Sequence, residues 1–130
     1  MATRIFRYTV SLNAGQKNDG QGGDPQPFTL TAPQGITRTI VEIRPWGTQA
    51  FEYQGSYDTE LYHDIDSNDI NTYHRPHFVG LNISGTHTYT IIMTNLGSAT
   101  GSFGVDLVVE ENPSSGTGGA PTGGAPTGGA

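Results

Sequence analysis

Cysteine is absent from this 130-residue chain, so neither a disulfide nor a thiolate metal site is open to it. That absence leans towards folding in a reducing compartment. Charge is scarce too: Asp, Glu, Lys and Arg together make up 14% of the residues, 6 basic against 12 acidic, for a net charge of −6. The basic residues Arg4, Arg7, Lys17, Arg38, Arg44 and Arg75 are scattered and form no stripe. Nucleic-acid binding through phosphate contacts is therefore not expected. No window holds the roughly 18 apolar residues that a membrane-spanning helix needs, and no membrane partner is expected. The start, Met-Ala-Thr-Arg-Ile-Phe-Arg-Tyr, leads directly into an alternating pattern without a basic segment and apolar run, which predicts synthesis in the cytoplasm without a signal peptide. Nor does any useful length of chain carry an apolar period of about 3.6 residues, which removes the helical classes.

What the chain has is period-2 alternation. In the closing stretch His87–Glu111, Tyr89, Ile91 and Met93 share one face of an extended segment, and Phe103, Val105, Leu107 and Val109 share one face of another. Asn95-Leu-Gly-Ser-Ala-Thr-Gly101 lies between them, and the pair reads as an antiparallel hairpin with one dry face. Arg4–Leu12 alternates in the same way, with Phe6, Tyr8, Val10 and Leu12 on its apolar side. Asn13–Pro27 is a long polar loop of the kind that contacts a partner or moves freely. Phe28–Ala32 is a short strand. Ile36–Trp46 has two partly apolar faces, Val41 and Ile43 with Thr37 and Thr39 against Ile36 and Ile40 with the stems of Arg38 and Arg44. It reads as a central strand ended by Pro45 and Gly47. Gln49–Gln54, Tyr57–Tyr62 and Phe78–Ser84 complete a set of about seven to nine strands, the count of a two-sheet sandwich. The expected fold is an all-β antiparallel β-sandwich, jelly-roll-like, over residues 1–112. Residues 113–130 contain a repeated GGAPT unit with too little apolar surface to offset ordering entropy, and predict a disordered Gly/Pro/Thr-rich tail.

The segments Thr88-Tyr-Thr-Ile-Ile-Met-Thr-Asn95 and Ala99-Thr-Gly-Ser-Phe-Gly-Val-Asp-Leu107 resemble the end of bacterial pre-peptidase C-terminal domains. That resemblance implies a small jelly-roll sandwich. In overall profile (small, cysteine-free, acidic, with a Gly-rich tail) the chain is also similar to the decoration or accessory proteins of tailed-phage capsids.

Candidate chemistry is concentrated in Gly55–Pro76. Asp64, Asp66, Asn68 and Asp69 place oxygen donors as a Ca²⁺ loop would, with Asp58 or Glu60 as further ligands. Asp69 stands where an EF-hand has Gly, and Arg75 where it has Glu, so any Ca²⁺ site here is irregular; the competing reading is a solvated Asx-rich turn. His63, His74 and His77 flank one loop, but Pro76 breaks the spacing of a zinc pair. Trp46, Tyr57 and Tyr62 are the candidates for a sugar-stacking platform, against which Trp46 reads as a ring closing the core. Asn82-Ile-Ser84 matches a glycosylation acceptor but falls within a strand. There is no Gly-x-Ser-x-Gly elbow, no thiol nucleophile and no phosphate-cradling loop, so enzymatic activity and an obligatory cofactor are not expected. The function predicted is a non-enzymatic structural protein of a larger assembly, a decoration or accessory protein at a virion surface that is a homo-oligomer binding neighbouring protein subunits. The alternative is a carbohydrate-binding or Ca²⁺-dependent adhesion module.

Overall fold

The computed structural model describes residues 2–67 and 77–114. They form eight strands: β1 (Ala2–Leu12), β2 (Phe28–Leu30), β3 (Ile36–Gly47), β4 (Phe51–Tyr57), β5 (Glu60–Asp66), β6 (His77–Ile83), β7 (Tyr89–Asn95) and β8 (Gly101–Pro113). One sheet has the order β1-β8-β3-β6 and the other β2-β7-β4-β5. Every pairing is antiparallel. The pairs β1:β8, β2:β7, β3:β6 and β4:β5 are the rungs of one long folded-over ribbon. Rolling that ribbon adds the β8:β3 and β7:β4 contacts and gives the jelly roll. The expected sandwich is the observed one. The proposed tail, apart from Pro113 and Ser114, lies outside the described residues.

The dry faces read from the alternation are the inner faces. Leu12, Tyr89, Ile91, Met93, Phe103, Val105, Leu107 and Val109 are all fully buried. The expected hairpin between the last two strands is not formed, however. β7 pairs with β2 and β4, whereas β8 pairs with β1 and β3 in the opposite sheet. The chain between them is an arch across the sandwich. Asn95 shapes it: its side-chain amide donates to the carbonyls of Leu12 (3.0 Å) and Ala99 (2.9 Å), while its Oδ1 accepts the Gly97 N–H (2.8 Å). Two strands with one dry face each bury as much area facing one another as lying side by side, and the arch decides for the former.

β3 is central, but its two apolar faces have another cause. A register shift between Ile40 and Glu42 marks a β-bulge, so Ile40 and Ile43 both turn into the core although they are three residues apart. Pro45 does not end the strand. It pairs with Val105 beyond the last contact with β6, at Ile43, where its missing N–H leaves no ladder bond unmade on that side. The strand expected at Tyr57–Tyr62 is two strands, parted by a turn at Asp58 and Thr59. The polar loop 13–27 is held in place. Gly15 N–H donates to the Asn95 carbonyl and Asn95 N–H to the Gln16 carbonyl, both at 2.9 Å. Buried Asn18 accepts the Met93 N–H at 2.6 Å through its Oδ1. The loop thus covers the edge of β7 that the short β2 leaves open.

Gly104, on β8, brings β1 and β3 close together. A Cβ there would strike the Tyr8 carbonyl oxygen and come within 2.7 Å of the Trp46 ring, whereas one on Gly80 meets nothing within 4 Å. We expect Gly104→Ala to cost about 1–3 kcal/mol in denaturant unfolding, the range for overpacking. Gly80→Ala, on the exposed outer strand, is expected to stay within about 0.5 kcal/mol. Equal effects of the two would contradict this packing.

Candidate functional site

The β4–β5 turn and the residues just before β7 meet at one end of the sandwich. Asp58 is the one non-glycine among the described residues with a positive φ, 54°, in the left-handed region that Asp tolerates better than most. Its N–H donates to the Thr88 carbonyl (2.8 Å). Its carboxylate accepts the Thr88 N–H (3.0 Å) and bonds His87 Nδ1 (2.6 Å). The hydrogen bond from His87, then that from Thr88, hold the Asp58 carboxyl below its ordinary value. An αL carboxylate therefore ties the turn of one hairpin to the entry of β7.

Aromatic rings line up beside this tie. His87 stacks on Tyr57 with centroids 4.9 Å apart, and Tyr62 lies 5.5 Å from Tyr57. Tyr62 meets His63 at 6.4 Å, edge to face, and His63 meets Tyr89 at 5.7 Å. Burial, then the charge of Asp58, raises the Tyr57 phenol above its ordinary value. Beneath the rings a hydroxyl chain enters the core: Tyr53 Oη and Tyr89 Oη are 2.9 Å apart, and Tyr89 Oη is 2.8 Å from His63 Nδ1. Both tyrosines are fully buried, and burial pushes both phenols up. Gly55 makes room for the chain, since a Cβ there would run into the Tyr89 hydroxyl.

Comparison with models of known families, with curated proteins and with solved structures gave no match. The site is therefore read from its own geometry.

Of the sugar-stacking candidates, Tyr57 and Tyr62 come together and Trp46 does not. Trp46 lies on the outer face of the other sheet, over Gly104, and does not close the core. Tyr57 has one neighbour on each side, His87 and Tyr62, which leaves the half-exposed Tyr62 as the ring open to solvent. Of the Ca²⁺ candidates, Asp64 and Asp66 sit on β5 opposite Gln54 and Glu52, while Asn68 and Asp69 lie outside the described residues. Among the described residues no group of three or more His, Asp or Glu is placed to hold a metal ion. His63 and His77 are close enough for their charges to interact, and His74 lies outside the described residues. Asn82 is exposed on β6 and accepts a hydrogen bond from the Thr39 hydroxyl at 2.6 Å.

Sequence reasoning missed His87 and the pairing of Tyr53 with Tyr89. A signal for the second was available: a Tyr at a core position needs a partner for its hydroxyl. Nothing local pointed to His87, because its partner Asp58 belongs to a different hairpin.

Glu52 shows what the clustered carboxylates do. Partial burial, then a hydrogen bond shared with Asp64 and the charges of Asp64 and Asp66, raise the Glu52 carboxyl above its ordinary value. A carboxyl raised on folding takes up its proton more readily in the folded state, so its contribution is lost as pH rises through the carboxylate range. Glu52→Gln is expected to raise the melting temperature at about pH 7, with the gain shrinking towards about pH 4. Unchanged melting at neutral pH would show that the cluster carries no repulsion.

Proposed function

We propose that the protein is a non-enzymatic structural component of a larger assembly, a decoration or accessory protein at a virion surface, that seats the outer face of the β1-β8-β3-β6 sheet on neighbouring protein subunits. The observation that carries this reading is a mainly apolar row running across that face. Ile5 pairs with Val108, Val108 with Glu42 and Glu42 with Phe78, so three apolar side chains stand in one line, interrupted by the Glu42 carboxylate that Arg44 holds, with bulged Val41 beside them. Phe78 is 80% exposed and Ile5 52%. Aligned exposed apolar side chains of this size characterise contact surfaces. The next row holds Arg7, Asp106 and Arg44, with Arg7 gripping Asp106 through two hydrogen bonds (3.0 and 3.1 Å) and Arg44 bonded to Glu42. Arg7, Asp106 and Arg44 thus border the line on one side, and Glu110, two residues beyond Val108 on β8, borders it on the other. Jelly rolls occur in capsid proteins and in lectins alike, so the fold supports the reading without choosing it.

The alternative, a carbohydrate-binding or Ca²⁺-dependent adhesion module, draws on the open face of Tyr62 beside Asp58 and His87. A glycan array on the wild type and on Tyr62→Ala, and melting with Ca²⁺ or EDTA on the wild type and on Asp64→Asn/Asp66→Asn, address it. Binding lost with Tyr62, or a Ca²⁺ shift lost with the two aspartates, would favour the module.

For the assembly reading, the mass of the protein is measured by light scattering behind size exclusion. We expect the wild type to form a closed oligomer and Ile5→Thr/Phe78→Ser to be a monomer with the wild-type melting temperature, because exposed side chains contribute little to the fold of the subunit. Equal masses for the two proteins would remove this face as the contact.

A further inference from the structure

The hydroxyl chain in the core ends on a titratable group, and that has a consequence for the edge of the sandwich. Tyr53 on β4 and Tyr89 on β7 are fully buried, so their hydroxyl protons need acceptors inside the protein. The arrangement closes when Tyr53 donates to Tyr89 and Tyr89 donates to an unprotonated Nδ1 of His63 on β5. Each hydroxyl then has one acceptor, and the imidazole keeps its own proton on Nε2. A second proton on His63 turns Nδ1 into a donor. The chain must then reverse, and the Tyr53 hydroxyl proton loses its acceptor, Tyr89, inside a dry core. Among the described residues no carboxylate is hydrogen-bonded to His63 to offset this. His77 faces His63 from β6 in the opposite sheet, and a charge on either opposes a charge on the other. Among the described residues, the other titratable side chains of the ring array beside His63 are Tyr62 and Tyr57, neither of them a carboxylate. Asp58, the nearest carboxylate of the ring array, is already committed to His87 and Thr88.

We propose that the Tyr53–Tyr89–His63 chain, faced by His77, is an acid-sensitive clasp that holds the β5 edge onto the sandwich at neutral pH and releases it when His63 gains a proton. β5 is an edge strand paired on one side only, with β4, and the register shift at Gly55 and Ser56 already breaks its ladder beside His63. The clasp replaces part of what that ladder lacks. The Asp58–His87 tie is independent of it and keeps the β4–β5 turn in place as β5 loosens. Burial, then the charge of His77, lowers the His63 value below its ordinary one. A base lowered on folding is protonated first in the unfolded chain, so the clasp contributes fully above about pH 6.5 and its contribution is lost as pH falls below that.

The test compares wild type with His63→Gln, which offers Tyr89 an acceptor oxygen but cannot become charged. Between about pH 7.5 and about pH 5 we expect the wild type to lose about 4–8 °C of melting temperature more than His63→Gln does, the shift that a roughly fivefold loss in the folding equilibrium produces in a domain near this size. Amide exchange in β5, corrected for intrinsic rates, is expected to speed up relative to β8 over the same range in the wild type only. Parallel melting profiles, or equal relative protection of β5 at both pH values, overturn the proposal. If His63→Gln does not fold, ¹⁵N NMR of the wild-type imidazoles decides. An unprotonated Nδ1 on His63 at neutral pH with a midpoint below about 6.5 upholds the clasp, and a protonated Nδ1 or a midpoint at or above that value overturns it.

Discussion

The face-to-face burial of β7 against β8 is the constraint on which the rest of the molecule depends. Seven side chains from these two strands (Tyr89, Ile91 and Met93 against Phe103, Val105, Leu107 and Val109) lose all contact with water. At about 1.5–3 kcal/mol each, that is a gross contribution of roughly 10–20 kcal/mol, as large as the whole net stability of an ordinary domain. Everything else lies around this pair. β8 is flanked by β1 over Gly101–Glu111 and by β3 over Phe103–Pro113, and β7 by β4 along its whole length and by the short β2 over Tyr89–Ile91. β5 and β6, the strands farthest from this pair in the two sheets, hold fewer of the fully buried side chains, Ile83 alone against these seven.

Polar groups inside the sandwich sit where the ribbon must bend or stop. Asn95 closes the arch between the sheets, Asn18 fixes the long loop to β7, and the Ser67 hydroxyl takes the Phe51 N–H at 3.0 Å just beyond β5. Removing any of these partners would strand a buried backbone donor or acceptor, which costs more than a typical hydrogen bond contributes. The Tyr53–Tyr89 pair differs in kind. It joins Tyr53 inside β4 to Tyr89 at the start of β7, closes no arch or loop, and leads outwards to an imidazole.

The alternation of residues made the strands and their dry faces legible, because a half-buried strand states its inner side in every second residue. It could not state the neighbour. Tyr89–Met93 and Phe103–Val109 show the same alternation whether they share a sheet or oppose one another, and only Asn95 with its three hydrogen bonds distinguishes the arch from a hairpin. The bulge in β3 was hidden for a related reason: with apolar residues at 36, 40, 41 and 43, either phase gives a dry face, and the shift between the phases shows up only in pairing. At the candidate site, Tyr57 and Tyr62 were visible as aromatics near a turn. Trp46 was drawn to them by composition alone, and the sheet order puts it on another face.

The four sheet edges add a reason to look to the β6 side for contacts. An open edge invites another strand, and charge or brevity guards against it. β2 is three residues long, and beyond it residues 15–18 of the loop cover β7. β5 carries Glu60, Asp64 and Asp66, and β1 carries Arg4 and Arg7, each bonded to a carboxylate of β8. Among the described residues β6 has none of these devices: His77–Ile83 contains no Asp, Glu, Lys or Arg, and Phe78 projects from it 80% exposed. The same strand closes the apolar row that begins at Ile5. An edge strand without charged side chains and a mainly apolar row that share Phe78 are a poor arrangement for a solitary subunit and a useful one for a subunit with neighbours.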